Sequence, residues 1–393
     1  MHLRKLAAWV AFCMCASLAG TCQNTVKIGV IAPLTGSQAA FGEALKNGYL
    51  IALDEINAKG GVLGRKLELN FYDDQSKPDQ AIQGVSKLVD QDQMPMILGS
   101  FSSESTKAMV PAVHQRQIPL IIPAANADNV LDSKSPWVFR ICAGAADYAR
   151  ATLDFLKHTG APKTMAIVYE NTNFGQAGKK AMSEAATAAG IKLVAVESYE
   201  AKLPDYRAVL QRVKQAKPEV IYFCSYLLDA TTLMRQSQEI DLNARYYTSA
   251  GTGFATAEFP TAKGAGKNAE YTFSVSQWLP IARWAGSREF DAEYFKRYNG
   301  HPTHHAMFAY ATLQTAAHAI TDARSLDPAR IRDAIKNLNL AMTPFGPLKF
   351  DASGQNRHAV MITQVLGGQY RVVYPPEIAD SKPVVPTPEW SKR

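Results

Sequence analysis

The chain has 393 residues, which is enough for two domains of ordinary size. Apolar residues make up 47% of the sequence, and this fraction excludes an intrinsically disordered protein. The formal net charge is +7 and the isoelectric point is about 9.0. The lysines and arginines are scattered and form no dense stripe, so we expect a solvated basic surface and no nucleic-acid partner.

Residues 1–19 have the pattern of a secretory signal peptide. A short basic stretch precedes an apolar run that begins at Leu6, and small residues then predict a mature start near Gly20. The apolar run is too short for a transmembrane helix of about 20 residues. We therefore expect a periplasmic protein. Lipoprotein processing at Cys22 is the alternative, and Thr21 argues against it because a small residue is required there.

The first part of the mature chain alternates strand and helix patterns. Apolar, β-rich runs predict strands at 26–34, 66–72, 94–99 and 119–125. A helix with apolar residues at helical spacing follows the first strand, and Gly60-Gly61 ends it. Further helices are predicted at 78–90 and directly after the stretch GSFSSEST (99–106). This order indicates a parallel, doubly wound sheet with right-handed crossovers.

The same pattern then repeats after an extended link at 137–147. Strands are predicted at 164–170, 192–199, 219–224 and 245–250, with helices between them near 176–189, 205–216 and 229–240. Three more helices follow at 287–299, 304–323 and 328–338, then antiparallel strands within 346–375 and a loose tail. The fold class is therefore α/β, with two parallel-sheet lobes. Ligands bind beyond the carboxyl ends of such strands, so we expect a cleft between the lobes and a hinge-closing binder.

Several stretches of the chain resemble one family. LTGSQAAFGEALKNGYLIALDEINAKGGVLGRKLELNFYDDQSKPDQA (34–81), ILGSFSSEST (97–106), PLIIPAA (119–125), AIVYENTNFGQAG (166–178) and FGPLKFDASGQN (345–356) are similar to the leucine/isoleucine/valine-binding type of periplasmic solute receptor. The similarity runs in order over nearly the whole mature chain. It implies a non-enzymatic ligand-binding subunit of an ABC importer, with permease subunits in the membrane as partners and a monomeric state.

The resemblance also implies the division of the chain into lobes. Three crossovers are expected near 140–147, 275–282 and 342–347. The first lobe would comprise 25–141 and 280–343, and the second lobe 142–279 and 344–375. Residues 376–393 would form the C-terminal tail.

Carried over position by position, the resemblance implies a set of ligand contacts at the carboxyl ends of the strands. Aromatic side chains would line an apolar pocket, while hydroxyls, an amide and backbone N–H groups would hold a carboxylate. The predicted set is Phe41, Ser102, Ser103, Ala124, Ala125, Asn126, Asn173, Phe174, Tyr226 and Thr252.

This chain departs from the family pattern in three places: Asn126 stands where the family often has threonine, a cysteine pair is lost, and a missing acid leaves the ligand open. The glutamate that binds the ammonium group in branched-chain amino-acid receptors would lie near SAGTG (249–253), where this chain has no acid. A cysteine pair of some members corresponds to Ser76 and Ser102. An amino acid, an aromatic or aliphatic acid, or an amide all stay possible.

The hydroxyl-rich stretch GSFSSEST allows four interpretations. A serine nucleophile requires the strand-to-helix turn G-x-S-x-G and a nearby base. A phosphate-binding loop requires glycines and a lysine before the hydroxyl residue. The stretch contains neither pattern. Plain helix capping is the simple alternative, because serine is a favoured N-cap. The fourth is a carboxylate clamp, in which the helix N-terminus attracts an anion together with Ser103 and Asn126. A sensory protein of the same fold and a serine hydrolase are the rival functions.

The stretch HPTHH (301–305) invites a metal interpretation that we do not adopt. Pro302 places the helix start inside the motif, and no acid or cysteine completes a ligand set. We predict no metal, no cofactor and no catalytic residue. His305 near the cleft is a candidate second partner for an anion.

Overall fold

The computed structural model describes residues 25–281 and 284–393. The predicted signal peptide and Cys22 therefore lie outside the described residues. In the part of the chain that is described, no helix combines the length and apolar character needed to cross a membrane.

The first lobe is built on a parallel five-stranded sheet in the order β2-β1-β3-β4-β5. Its strands are β1 (Thr25–Ala32), β2 (Lys66–Asp73), β3 (Ile97–Gly99), β4 (Leu120–Ile122) and β5 (Val138–Arg140). Three helices connect them: α1 (Ala39–Ala58), α2 (Pro78–Ser86) and α3 (Ser103–Arg116). The order of β1 between β2 and β3 is the doubly wound arrangement expected from the sequence.

The second lobe repeats this design with the parallel order β7-β6-β8-β9. Its strands are β6 (Thr164–Glu170), β7 (Lys192–Tyr199), β8 (Val220–Cys224) and β9 (Tyr246–Ser249). The helices are α4 (Ala145–Thr159), α5 (Asn173–Ala188), α6 (Arg207–Ala216) and α7 (Leu227–Glu239). The extended link predicted at 137–147 is therefore wrong in part, because it contains β5 and the first turn of α4.

After β10 (Phe273–Ser276) the chain returns to the first lobe as α8 (Ser287–Tyr298), α9 (His304–Ala323) and α10 (Pro328–Asn337). Helix α9 lies along α1 at a very close crossing. A Cβ added to Gly48 of α1 would lie 1.9 Å from the carbonyl oxygen of Ala306, so only glycine fits there. This contact fixes the returning helices to the first lobe.

The chain then passes back to the second lobe. After the short antiparallel pair β11 (Asn339–Leu340) and β12 (Leu348–Lys349), strands β13 (Met361–Leu366) and β14 (Gln369–Tyr374) join β10 in an antiparallel sheet. The Ser249 hydroxyl bonds the Phe273 carbonyl at 3.2 Å, which places β10 beside β9. Two lobes joined by three crossovers are the fold class that the sequence predicts.

Side chains bond the first crossover to two other segments. The buried Arg140 donates from Nε to the Gln355 side-chain oxygen at 2.6 Å, and Gln355 in turn donates to the Cys142 carbonyl at 2.8 Å. Gln277 accepts a hydrogen bond from the Ala143 amide at 2.9 Å. Gln277 lies in the expected second crossover, and Gln355 lies beyond the expected third crossover at 342–347.

The C-terminal segment is not loose, and that expectation is wrong. Val384 exchanges two hydrogen bonds with the Gln364 side chain, at 2.9 and 3.1 Å. The Trp390 ring is only 9% exposed, and its indole N–H donates to the Leu242 carbonyl at 2.5 Å. One large aromatic side chain with a polar N–H anchors a proline-rich segment that has no regular pattern of its own.

Candidate ligand-binding site between the lobes

The first wall of the cleft is the start of α3. Ser102 is the N-cap residue, and its Oγ accepts a hydrogen bond from the Ser105 amide at 3.4 Å, so capping is part of its role. The Ser103 Oγ accepts from the Ala127 amide at 3.3 Å. The hydroxyl of Ser103 therefore joins the loop after β3 to the loop after β4, as the clamp hypothesis requires of two neighbouring strand ends.

The loop after β4 is held by its backbone. Arg140 donates to the Ala125 carbonyl at 3.3 Å, and the Asn126 carbonyl accepts from the Ala145 amide at 2.9 Å. Ala125 and Asn126 are buried, and Ala124 is partly buried. This stretch lies beside the start of α3 and is held by hydrogen bonds from Arg140 and Ala145.

The second wall comes from the strand ends of the second lobe. Thr172 caps α5 through a hydrogen bond from the Gly175 amide at 3.3 Å, which places Asn173 and Phe174 in the first turn. Tyr226 is the residue before α7. Thr252 lies in the turn after β9, next to the Tyr226 loop, because the Gly253 amide donates to the Ser225 carbonyl at 3.1 Å.

Aromatic rings from both lobes meet at the centre of the cleft. Phe41 stacks on Phe101 at 4.3 Å between ring centroids, and Tyr226 lies 6.0 Å from Phe41. Phe174 packs against Tyr226 at 4.9 Å, and the His305 ring lies 5.2 Å from Phe41. We call these five residues the aromatic cluster. It makes the centre of the cleft apolar on the first-lobe side and closes it with Tyr226.

A pair of amides bridges the lobes beside this cluster. Asn129 of the first lobe and Asn173 of the second exchange two side-chain hydrogen bonds, at 2.7 and 3.0 Å. Asn173 also donates to the Ser103 carbonyl at 3.5 Å. These contacts exist only while the lobes are together, so the structure shows a closed cleft.

A cavity of about 170 Å³ lies at the mouth of the cleft. Both lobes line it with mostly polar side chains, including Ser102, Phe174 and Tyr226 of the predicted set. Phe41 lies in the aromatic cluster and does not line the cavity. The other predicted residues that do not line it are Ser103, Ala124, Ala125, Asn126, Asn173 and Thr252. Its other polar lining residues are Ser37, Gln38, Gln75, Ser76, Lys77, Glu104, Glu170, Thr172, Lys202 and Asp229.

Two acids of the second lobe face this cavity. Glu170, the last residue of β6, is 1% exposed, and its Oε2 accepts from the Tyr226 amide at 3.4 Å. Asp229 accepts from the Tyr206 hydroxyl at 2.8 Å and from the Lys202 amide at 3.0 Å. Burial, and then the charge of Asp229, raise the pKa of Glu170 above its ordinary range. The site therefore contains carboxyl groups at a position other than the one that the resemblance implied.

The histidines of HPTHH are dispersed. His301 pairs with Asp291 at 2.7 Å, and the Nδ1 atom of His304 lies 3.0 Å from the Ser276 hydroxyl. Within residues 25–281 and 284–393, no group of three potential ligands converges on a metal position. His305 is buried in the aromatic cluster, and burial lowers its pKa well below the ordinary value. It is neutral at pH 7 and does not act as a cationic partner for an anion.

Several residues of the site were missed by the sequence analysis, and three of them are instructive. Phe101 stands inside GSFSSEST, where the hydroxyls drew attention away from it. Glu170 and Asp229 carried a usable signal: one acid ends a buried strand, and the other lies in the first turn of a helix at the same edge. An acid at a strand's carboxyl end is a candidate ligand contact in this class of fold.

The family assignment follows from the comparisons. A family model described as periplasmic binding protein matches residues 25–369. The chain therefore belongs to the periplasmic binding proteins, of the leucine/isoleucine/valine-binding kind. The members of this family are substrate-binding proteins, and the chain is not an enzyme.

Individual relatives agree with this assignment. An amino acid binding protein of Pseudomonas aeruginosa is 29% identical over 332 residues, which are 84% of this chain and 87% of that protein. A branched-chain amino acid transporter substrate-binding protein of Streptococcus pneumoniae, solved with isoleucine, has a TM-score of 0.81 at 24% identity and covers 89% of this chain and all of its own. A solute-binding protein of R. palustris, solved with benzoate, has a TM-score of 0.81 at 21% identity and covers 89% and 95%. These structures share the fold, and their ligands differ.

Proposed function

We propose that this protein is the extracytoplasmic receptor of an ABC importer. It binds a small ligand that carries a carboxylate, closes around it, and delivers it to a membrane permease. The family and the ligand-binding roles of the relatives support the receptor role. The observation that carries the proposal is the cavity at the mouth of the cleft, which residues of both lobes line together.

The carboxylate is assigned to the first lobe. The start of α3 offers unpaired backbone N–H groups and the positive end of the helix dipole, worth about 0.3–1 kcal/mol to an anion. Ser103 and Asn126 supply polar side chains from two adjacent strand ends. Lys77 and Lys202 line the cavity and make its potential more favourable for a negative group.

The opposite wall favours a ligand that also donates hydrogen bonds. Glu170 and Asp229 are buried carboxyl groups on the cavity surface, and neither forms an ion pair with a lysine or arginine in the described part of the chain. An ammonium or amide group of the ligand would satisfy them. An amino acid is therefore the leading ligand class, and an amide is the second.

Phe174 and Tyr226 close over the ligand from the second lobe. Each stands at the first turn of a helix that begins where a strand ends, so both move with that lobe as a rigid unit. Tyr226 contacts Phe41 and Phe101 across the cleft, and Phe174 packs on Tyr226, so the contact between the lobes is made in the closed state. Closure therefore buries the ligand and changes the outer surface that meets the permease.

Calorimetry and thermal-shift assays test the proposal. Amino acids, aromatic acids, keto acids and short aliphatic acids are screened, because a bound ligand raises the melting temperature by mass action. Ser103→Ala should weaken binding of the ligand found by about 1–2 kcal/mol, or roughly tenfold. Ser237→Ala is the matched control: it removes a buried, unpaired hydroxyl on α7 far from the cleft and should leave affinity unchanged.

Three results would contradict the proposal. Unchanged affinity of Ser103→Ala would remove the clamp assignment. Turnover of an ester that is lost in Ser103→Ala would support a hydrolase instead. A hit only from cationic compounds that lack a carboxylate would overturn the assignment of the anion to the first lobe.

A further inference from the structure

Among the described residues, His305 is a buried histidine whose Nδ1 atom has no hydrogen-bond partner. Its side chain is 3% exposed, and within residues 25–281 and 284–393 its Nδ1 atom makes no hydrogen bond. Leaving a buried polar atom unpaired costs about 1–3 kcal/mol. A side chain whose only role was to fill space would be served better by phenylalanine.

The neighbouring buried histidine shows what the fold provides at such a position. His304 is equally buried, and its Nδ1 lies 3.0 Å from the Ser276 hydroxyl. The unpaired nitrogen of His305 is therefore specific to its position.

That position is the aromatic cluster. The His305 ring packs edge-on against Phe41 at 5.2 Å and against Phe101 at 5.5 Å. Tyr226, which packs on the same two rings, also lines the cavity at the cleft mouth. His305 does not itself line that cavity, and it is connected to it through the rings of the aromatic cluster.

We propose that His305 is a specificity-determining residue that hydrogen-bonds a hydroxyl group on the part of the ligand that enters the aromatic cluster. This inference rests on the proposed function and narrows its ligand to hydroxylated carboxylates. A neutral imidazole has one donor and one acceptor nitrogen, and which nitrogen carries the proton is set by its partners. A hydroxyl both donates and accepts, so it satisfies Nδ1 in either tautomer.

The same chemistry excludes other groups at this end of the ligand. Burial and the neighbouring His304 keep His305 neutral, because both lower its pKa well below the ordinary value. It offers no positive charge to a second carboxylate. A purely hydrocarbon group would leave the nitrogen unpaired, and sites built to bond a hydroxyl reject analogues that lack it.

The test uses three pairs of carboxylates that differ by one hydroxyl: threonine and valine, tyrosine and phenylalanine, and 4-hydroxybenzoate and benzoate. Isothermal titration calorimetry measures their affinity for the mature protein. We expect the hydroxylated member to bind at least tenfold more tightly in at least one pair. His305→Phe should abolish this preference and keep or raise the melting temperature, because it removes an unpaired polar atom.

Two polar variants locate the contact. Asparagine places a polar atom near the position of Nδ1, and glutamine places one near Nε2. His305→Asn should retain part of the preference, and His305→Gln should not. The reverse order would overturn the assignment to Nδ1.

The remaining outcomes separate this inference from the proposed function. If carboxylates bind but the hydroxyl makes no difference in any pair, or if His305→Phe keeps the preference, the role of His305 is refuted and the carboxylate receptor stands. If no carboxylate binds, in these pairs or in the wider screen, both proposals fall together. The wild-type comparison needs no variant, so a failure of His305→Phe to fold leaves the test intact.

Discussion

Replacing Glu170 by glutamine tests the electrostatics of the cavity. The change keeps the shape of the side chain and removes its ability to ionise. Because the folded-state pKa of Glu170 lies above its ordinary value of 4.5, the folded protein holds a proton that the unfolded chain releases. The free energy of unfolding of the wild type should therefore fall as pH rises above about 4.5, until the raised pKa is passed.

The magnitude follows from linkage. One proton difference between the folded and unfolded states gives a slope of about 1.4 kcal/mol per pH unit. Glu170 is 1% exposed, so solvent screening reduces this slope only slightly. Glu170→Gln should remove most of that slope and be the more stable protein at pH 8. Urea unfolding at pH 5, 6, 7 and 8 measures the slope and the difference in stability. Glu184→Gln on the exposed face of α5 is the control.

Ligand binding supplies the second half of the same test. An ammonium group placed against Glu170 and Asp229 stabilises their ionised forms, so binding at pH 6–7 should release protons. Calorimetry in buffers of different ionisation enthalpy counts them, and Glu170→Gln should release fewer and bind more weakly. An equal slope with pH in wild type and variant would refute the reasoning on burial. Absence of proton release with unchanged affinity would refute the ammonium assignment.

Three further predictions concern closure, anchoring and packing. Asn173→Ala should lose the paired amides with Asn129 and shift the ligand-free protein toward an open shape, seen as a larger radius of gyration in small-angle scattering; an unchanged radius would contradict this. Trp390→Ala should lower the free energy of unfolding by about 3 kcal/mol in urea titrations, whereas a loose tail would give no change. Gly48→Ala should destabilise by about 1–3 kcal/mol, because its new methyl group meets the backbone of α9; a neutral result would mean that the two helices separate easily.

The element order was predictable because each element carries a strong local pattern. The strands β6 and β7 and the helix α9 have the bounds that the sequence predicts, since long apolar runs and helical periodicity define them. The C-terminal segment has no such pattern. Its order depends on one distant contact between Trp390 and the Leu242 carbonyl, which no local signal encodes.

The candidate site was predictable at the level of strand ends and less so at the level of chemistry. Ser102, Phe174 and Tyr226 line the cavity, but which residues touch the ligand stays a prediction. The acid pair was missed because Glu170 and Asp229 are 59 positions apart and meet only when β6 and α7 are in place. The charge of His305 was misjudged for a related reason: its neutrality comes from burial, which the motif HPTHH does not reveal.

The bonds between the crossovers have a consequence for the motion of the lobes. Three independent strands of chain could each bend at a different point, and the lobes could then twist as well as close. Arg140, Gln355 and Gln277 bond segments between the lobes to one another, so we expect these segments to bend together. Opening of the cleft about a single axis is the expected result, and the two walls of the site would then meet in the same register at each closure.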